Sequence, residues 1–255
     1  MKHSFIIIFL CLGLIISSCE DDTNTNNNKV SNLCENFTCS ENSKCVVENE
    51  QATCVCDKEY FIFNETNNLI SVEFETGVFS EGWEFINENN GYMVWTGNPS
   101  MNSPSNHITK FKLNIKNPGT YLFLWNSSVT EGSSGSDHND TWLRFSDATD
   151  FYGKKNESIV YPNGLGKTPN PNGKSVDGWF KVYRSGNDLS FKWQAKTSDN
   201  DAHNIYVQFD SPGIYTMEVS PRSTSHGIDK FVLFEDSSTS KDDAIAAKLS
   251  EISCE

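Results

Sequence analysis

The chain has 255 residues, with 34 acidic and 20 basic side chains, a formal charge of −14 and a pI near 4.7. That balance excludes binding driven by counterion release from nucleic acid. An aromatic share of 12% excludes a disordered chain despite a mean hydropathy of −0.50. The length allows one large domain with a small companion.

Lys2 and His3 precede an apolar run from Phe5 to Ile16. A helix needs roughly 20 residues to cross a bilayer, so this shorter run reads as the core of a signal peptide over residues 1–18. Ile16-Ser17-Ser18-Cys19 then resembles a bacterial lipobox. The resemblance implies cleavage before Cys19 and lipidation of its sulfur, with each buried CH₂ contributing about 0.8 kcal/mol to membrane attachment. Glu20-Asp21-Asp22 is similar to the acidic tract of surface lipoproteins in Bacteroidetes-type bacteria. That likeness implies an outer-membrane anchor facing the cell exterior. The Asn-rich remainder of residues 19–32 reads as a tether.

Cys34, Cys39, Cys45, Cys54, Cys56 and Cys254 remain, and six cysteines in an exported chain allow 15 disulfide connectivities. The first five are spaced Cys-x4-Cys-x5-Cys-x8-Cys-x-Cys, which resembles an epidermal-growth-factor-like module over residues 33–57. The resemblance implies pairs Cys34–Cys45 and Cys39–Cys54. The sixth cysteine of such modules is missing after Cys56, which leaves Cys254 as its partner. Domain termini often lie close together, so a staple across the intervening domain is sterically reasonable. CxxC pairs with nearby histidines, the usual zinc arrangement, are absent from the sequence.

Residues 58–235 alternate short β-type runs with Gly, Pro, Asn and Ser clusters. The predicted strands are Leu69–Glu75, Tyr92–Trp95, His107–Ile115, Tyr121–Trp125, Trp142–Phe145, Trp179–Tyr183, Leu189–Ala195, Ile205–Phe209, Ile214–Val219 and Ile228–Phe234. Phe111-Lys112-Leu113-Asn114-Ile115 shows the period-two pattern of a half-buried antiparallel strand. Many such strands without a long amphipathic helix predict an all-β fold, an antiparallel β-sandwich or jelly roll. Asn117-Pro118-Gly119-Thr120-Tyr121 and Ser211-Pro212-Gly213-Ile214-Tyr215 each feed a strand from a Pro-Gly turn, which suggests equivalent corners. In the tail, residues 236–255, Ser240-x-x-Asp243 predicts a helix start, with Ile245, Leu249 and Ile252 on one face.

Catalytic motifs are sparse. Gly166-Lys167-Thr168 and Gly173-Lys174-Ser175 end like phosphate loops, but Tyr161 and Thr168 stand where the first glycine is needed. Three loops bearing Asp and His precede strands: Ser136–Thr141, Asp199–His203 and Ser225–Asp229. Binding residues are commonly carried on such loops, although turn chemistry alone favours Asp and Asn there. A tryptophan on a sandwich face offers a flat apolar platform for a sugar ring.

The stretch from about Ser71 to Phe234 resembles the galactose-binding-like jelly-roll domains that serve as carbohydrate-binding modules. Val72-Glu73-Phe74-Glu75 at the start and Ile228-Asp229-Lys230-Phe231-Val232-Leu233 at the end carry the likeness. It implies a structural calcium held by Glu73, Glu75 and Asp229, a chemistry suited to a hard cation. The expected function is non-catalytic capture of a polysaccharide or glycan by a monomeric, surface-anchored protein. Trp125, His138, Asp140, Arg144, Asp201 and His203 are the expected ligand-facing residues. Two alternatives remain: a lyase or hydrolase on the same fold, using Tyr183, Arg184 and His203, or a protein-binding adhesin marked by an exposed apolar patch.

Overall fold

The computed structural model describes residues 33–35, 37–39, 42–197 and 200–254. The expected signal peptide, the expected lipidation at Cys19 and the expected tether fall on residues outside those described. Among those described, no helix is long and apolar enough to cross a membrane. The described residues form two compact units: one takes those up to Cys39 together with Cys45–Val55, the other takes the rest. The first contains the Cys34–Cys45 and Cys39–Cys54 disulfides that the resemblance implied. Strands β1 (Ser43–Glu48) and β2 (Gln51–Cys56) form a separate two-stranded sheet.

The second unit is an antiparallel β-sandwich. Its strands in chain order begin with β3 (Phe61–Asn64), β4 (Leu69–Glu73), β5 (Trp83–Ile86), β6 (Tyr92–Trp95), β7 (Thr109–Ile115), β8 (Gly119–Val129), β9 (Asp140–Phe145) and β10 (Asp150–Lys155). They continue with β11 (Ser158–Val160), β12 (Ser175–Val176), β13 (Trp179–Tyr183), β14 (Lys192–Trp193), β15 (Asn204–Phe209), β16 (Gly213–Pro221) and β17 (His226–Phe234). Helix α1 (Lys241–Ala246) and strand β18 (Ile252–Cys254) close the chain. One sheet runs β11-β10-β15-β8-β17-β6-β5, with β14 beside β8 and β4 beside β17; the other runs β12-β13-β9-β16-β7-β3-β18. The β3–β7 pair is parallel, a departure from the antiparallel expectation.

Period two explains the packing. In β7, Thr109, Phe111, Leu113 and Ile115 are buried, while Lys110, Lys112 and Asn114 point the other way. In β8, Tyr121, Phe123 and Trp125 enter the main core, while Leu122 and Leu124 join Val232, Phe234 and Ala244 in a second cluster beneath α1. The two sheets thus meet over one aromatic-rich layer, and the helix covers the back of β8 and β17.

Both Pro-Gly corners close in the same way. The Tyr121 hydroxyl donates to the Asn117 carbonyl at 2.7 Å, and the Tyr215 hydroxyl to the Ser211 carbonyl at 2.8 Å. The Phe209 ring sits 5.6 Å from Tyr121 and 4.5 Å from Tyr215, so one aromatic ring touches both corners. Beside the first corner, the fully buried Glu65 accepts from the amides of Asn68, Lys116 and Asn117 and from the Asn117 carboxamide. Burial alone would raise its carboxyl, but these donors outweigh it and hold the pKa below the usual carboxylate range.

The tail departs from the predicted long face. Ser240 Oγ accepts from the Asp243 amide at 3.1 Å, so the start is as expected. The helix nevertheless ends at Ala246, where Ala247 turns extended. Ile252 lies instead in β18, which pairs with β3 and brings Cys254 opposite Phe61. Strand pairing satisfies the tail's backbone groups there, and Cys56–Cys254 joins chain positions 198 apart.

Glu65 generates a prediction. Its stabilisation is full above the ordinary glutamate pKa of about 4.3 and is lost as pH falls through the lowered folded value. Glu65→Gln should therefore cost about 2 kcal/mol at neutral pH and lose most of that deficit in acid, as read from urea midpoints.

Candidate functional site

The expected ligand residues do not converge. Trp125 is fully buried between the sheets, with its ring 5.5 Å from Phe123 and 5.6 Å from His226. It is a core residue and offers no platform, because its inward place on β8 follows from the Tyr121–Phe123–Trp125 alternation. Asp140 is also buried; it takes a close hydrogen bond from Arg222 and lies 3.7 Å from Lys181. Arg144 is partly exposed but committed: its Nε and Nη2 reach Glu218 Oε2 at 2.7 and 2.6 Å, and its guanidinium lies 4.5 Å over Trp179.

Two of the three Asp/His loops meet at one end of the sandwich. His138 Nδ1 lies 3.0 Å from the Thr224 carbonyl, and Thr141 Oγ1 is 2.8 Å from His226 Nδ1. Burial, with a smaller effect from Arg184, pushes the His226 pKa down to about 3, so its ring is neutral. The third loop leads into β15, and its histidine has partners of its own. His203 there is fully buried, with its Nδ1 2.8 Å from the Asp201 carbonyl and its Nε2 2.9 Å from Ser158 Oγ. Asp201 itself pairs with Lys155 at 3.0 Å. The residues of the enzymatic alternative are similarly occupied: buried Arg184 binds the Asp188 carbonyl and carboxylate at 2.7 Å each and the Ser190 carbonyl at 3.0 Å.

The expected metal residues do gather. Glu73, Glu75 and Asp229 each have a raised pKa, first because full or partial burial desolvates the carboxylate. Mutual repulsion adds to this at Glu73 and Glu75, and Lys230 opposes it at Glu73 and Asp229. Glu75 Oε2 is buried without a hydrogen-bond partner. Three carboxylates are a suitable donor set for a hard cation. They are not arranged as one: Lys230 lies 3.7 Å from Glu73, Asn126 donates to Asp229 at 2.7 Å, and no three acidic, His or Cys groups among the described residues are placed to hold a metal.

Glu75 also lines a groove that the sequence did not single out. This depression of about 600 Å³ is bounded by Lys58, Glu59, Val78, Phe79, Phe85 and Met93 as well as Glu75. Phe85 is 50% exposed and Val78 42% exposed, while Phe79 packs onto Phe74 and Trp83 at 5.3 and 5.4 Å. A second depression of about 290 Å³, reaching Phe61, Lys110 and Lys112, shares Lys58, Glu59, Gly77 and Val78 with the first. At Gly91, φ is +95° and a β-carbon would meet the Phe85 ring at 2.8 Å, so glycine there is what lets the ring lie flat against the backbone. Alternation would bury Phe85 beside Trp83, but β5 is the outermost strand of its sheet and leaves the ring open. No local pattern announces that exposure.

No protein-family model and no curated protein matches the sequence. Three solved structures are similar in backbone course. A Podospora anserina GH26-CBM35 β-(1,4)-mannanase matches at 12% identity and TM-score 0.38 over 66% of this chain and 28% of its own. The C-terminal CBM6 of LamC, a marine laminarinase from Zobellia galactanivorans, matches at 14% identity and TM-score 0.31 over 66% and 100%. An Arthrobacter globiformis T6 isomalto-dextranase complexed with panose matches at 9% identity and TM-score 0.36 over 66% and 24%. This chain thus spans about a quarter of the mannanase and dextranase chains.

Because Trp125 is a core ring, Trp125→Ala should cost about 3–5 kcal/mol of stability. The check is a large drop in the urea midpoint; a variant as stable as the parent would remove Trp125 from the core.

Proposed function

We propose that the chain is a glycan-binding protein that seats a saccharide in the groove beside Glu75 and Phe85 and holds it without turnover. The groove's composition carries this reading. A pyranose presents an apolar C–H face and a rim of hydroxyls, and here the exposed Phe85 ring and Val78 adjoin the carboxylates of Glu59 and Glu75 and the Lys58 ammonium. Its volume of about 600 Å³ suits a short saccharide, and the adjoining depression extends the track. In the cell, the proposal includes an exported lipoprotein anchored through Cys19 that presents this groove outward to capture polysaccharide.

The test is a titration of the purified full chain against a panel of polysaccharides, with product analysis on each positive. Phe85→Ala should weaken binding by about tenfold and leave the melting temperature within a degree or two, since the ring is half exposed. Unchanged affinity in that variant would move the site elsewhere. Glu59 and Glu75 line one groove, so newly formed reducing ends would turn the reading to glycoside hydrolysis by a carboxylate pair.

Calcium belongs to the same proposal, with Glu73, Glu75 and Asp229 as ligands once a cation draws Glu73 from Lys230 and Asp229 from Asn126. Without the ion, the raised pKa values mean that this trio contributes least to stability at neutral pH and more as pH falls through them. Added calcium should therefore raise the melting temperature at pH 7, do so less in acid, and fail to do so in Glu75→Gln. A melting temperature indifferent to calcium and to chelator at pH 7 would exclude the ion.

A further inference from the structure

On another part of the sandwich, β10, β15 and the segment after β14 enclose a pocket of about 250 Å³ lined by Lys154, Lys155, Lys196, Asn204 and Tyr206, with Ala202 and Asn156 at its margin. In a chain of net charge −14, such a concentration of ammonium groups needs a physical account. Lys196 is fixed in place, because its backbone bridges Tyr183 of one sheet and Asn204 of the other. Its Nζ makes a close hydrogen bond to the neutral Asn204 carboxamide, and among the described residues no carboxylate pairs with it. Burial and then the nearby Lys241 and Lys155 hold its pKa below the usual lysine value.

The surrounding charges leave a positive excess. Lys155 is neutralised by Asp201 at 3.0 Å, and Lys241 from α1 donates to the Trp193 carbonyl at 3.1 Å. Lys154 lies opposite Asn204 across the β10–β15 ladder and is exposed without an ion-pair partner among the described residues. Asp236 accepts from the Tyr206 hydroxyl at 2.8 Å. Beside the lysines, the rings of Tyr206 and Tyr152 stack at 5.8 Å and 15°. A half-buried ammonium among like charges is relieved by an anion, and stacked rings next to it offer a surface on which a sugar can rest.

We propose that this lysine-lined pocket is a second binding site, which takes the anionic substituent of a polysaccharide, a sulfate ester or a uronate carboxylate. The polysaccharide as carrier rests on the reading of the groove above; the anion site itself does not.

The experiment titrates the full chain with a sulfated galactan, its desulfated counterpart, a polyuronate and inorganic sulfate. Either charged polymer should bind more tightly than the desulfated one, and the Lys154→Gln/Lys196→Gln double variant should lose about tenfold of that affinity while binding the desulfated polymer unchanged. Lys154→Gln alone, at an exposed position, guards against a folding defect and should show part of the loss. Inorganic sulfate should raise the melting temperature of the parent and not of the double variant. If sulfate does so while no polymer binds, the groove reading fails and the anion site stands. If the double variant binds charged polymers and sulfate as the parent does, the anion site is overturned, whatever Phe85→Ala shows.

Discussion

Two sheets can share one core only if the side chains between them interlock, and in this protein a continuous file of phenylalanine rings does that work. Phe61, Phe63, Phe111, Phe231, Phe123, Phe145, Phe151 and Phe180 each lie 5.0–6.2 Å from the next. The file starts on β3 and β7, crosses to β17 and β8, returns to β9, crosses to β10 and ends on β13. Tilted and edge-on ring pairs of this kind contribute about 0.5–1.5 kcal/mol each beyond the area they bury. Strand register, the corners and both proposed sites hang from this layer, because shifting any strand by one residue would turn its ring to solvent.

The polar corners complete what the rings begin. Folding the chain over the layer strands backbone amides and carbonyls at each turn, and buried groups of that kind need partners. Glu65 collects three amides and a carboxamide beside the Tyr121 corner, and Tyr121 and Tyr215 each satisfy a carbonyl four residues back. At the far end of the chain, β18 and the Cys56–Cys254 bond tie the tail to β3, the strand that begins the ring file. A disulfide that closes so long a loop acts mainly by restricting the unfolded chain.

These features differ in how plainly the sequence displays them. The corners were legible because Pro-Gly followed by Tyr is a local signal, and β7 and β16 were legible because they alternate cleanly. Strands β10 to β12 were not: in β10 only Phe151 and Gly153 are buried, and a glycine carries no apolar signal. Gly153 is there for space, since a β-carbon would meet Thr197 and His203 side chains at 2.6 and 2.9 Å. The expected site failed for a related reason. Asp and His before a strand mark a turn, and only tertiary placement decides that Asp140 and His203 turn inward while Phe85, on an outermost strand, stays exposed. The Glu73–Glu75–Asp229 grouping was legible through its resemblance, and the lysine pocket was not, because its lysines come from residues 154, 155 and 196.

The two proposed sites answer to opposite electrostatics on one acidic molecule. The groove holds the Glu75 carboxylate, which burial already strains toward neutrality, with Glu59 beside it, so it favours hydroxyl-rich, uncharged partners over anions. The lysine pocket does the reverse, but only at short range. At a physiological ionic strength the Debye length is about 8 Å, so an approaching anionic polymer meets the net −14 charge attenuated and feels the pocket only on contact. Dilute buffer lengthens the reach of the repulsive field, which slows approach; concentrated salt weakens the contact itself. Affinity for a charged polysaccharide should therefore peak at intermediate salt, a profile that neither a uniformly basic surface nor a neutral sugar groove produces.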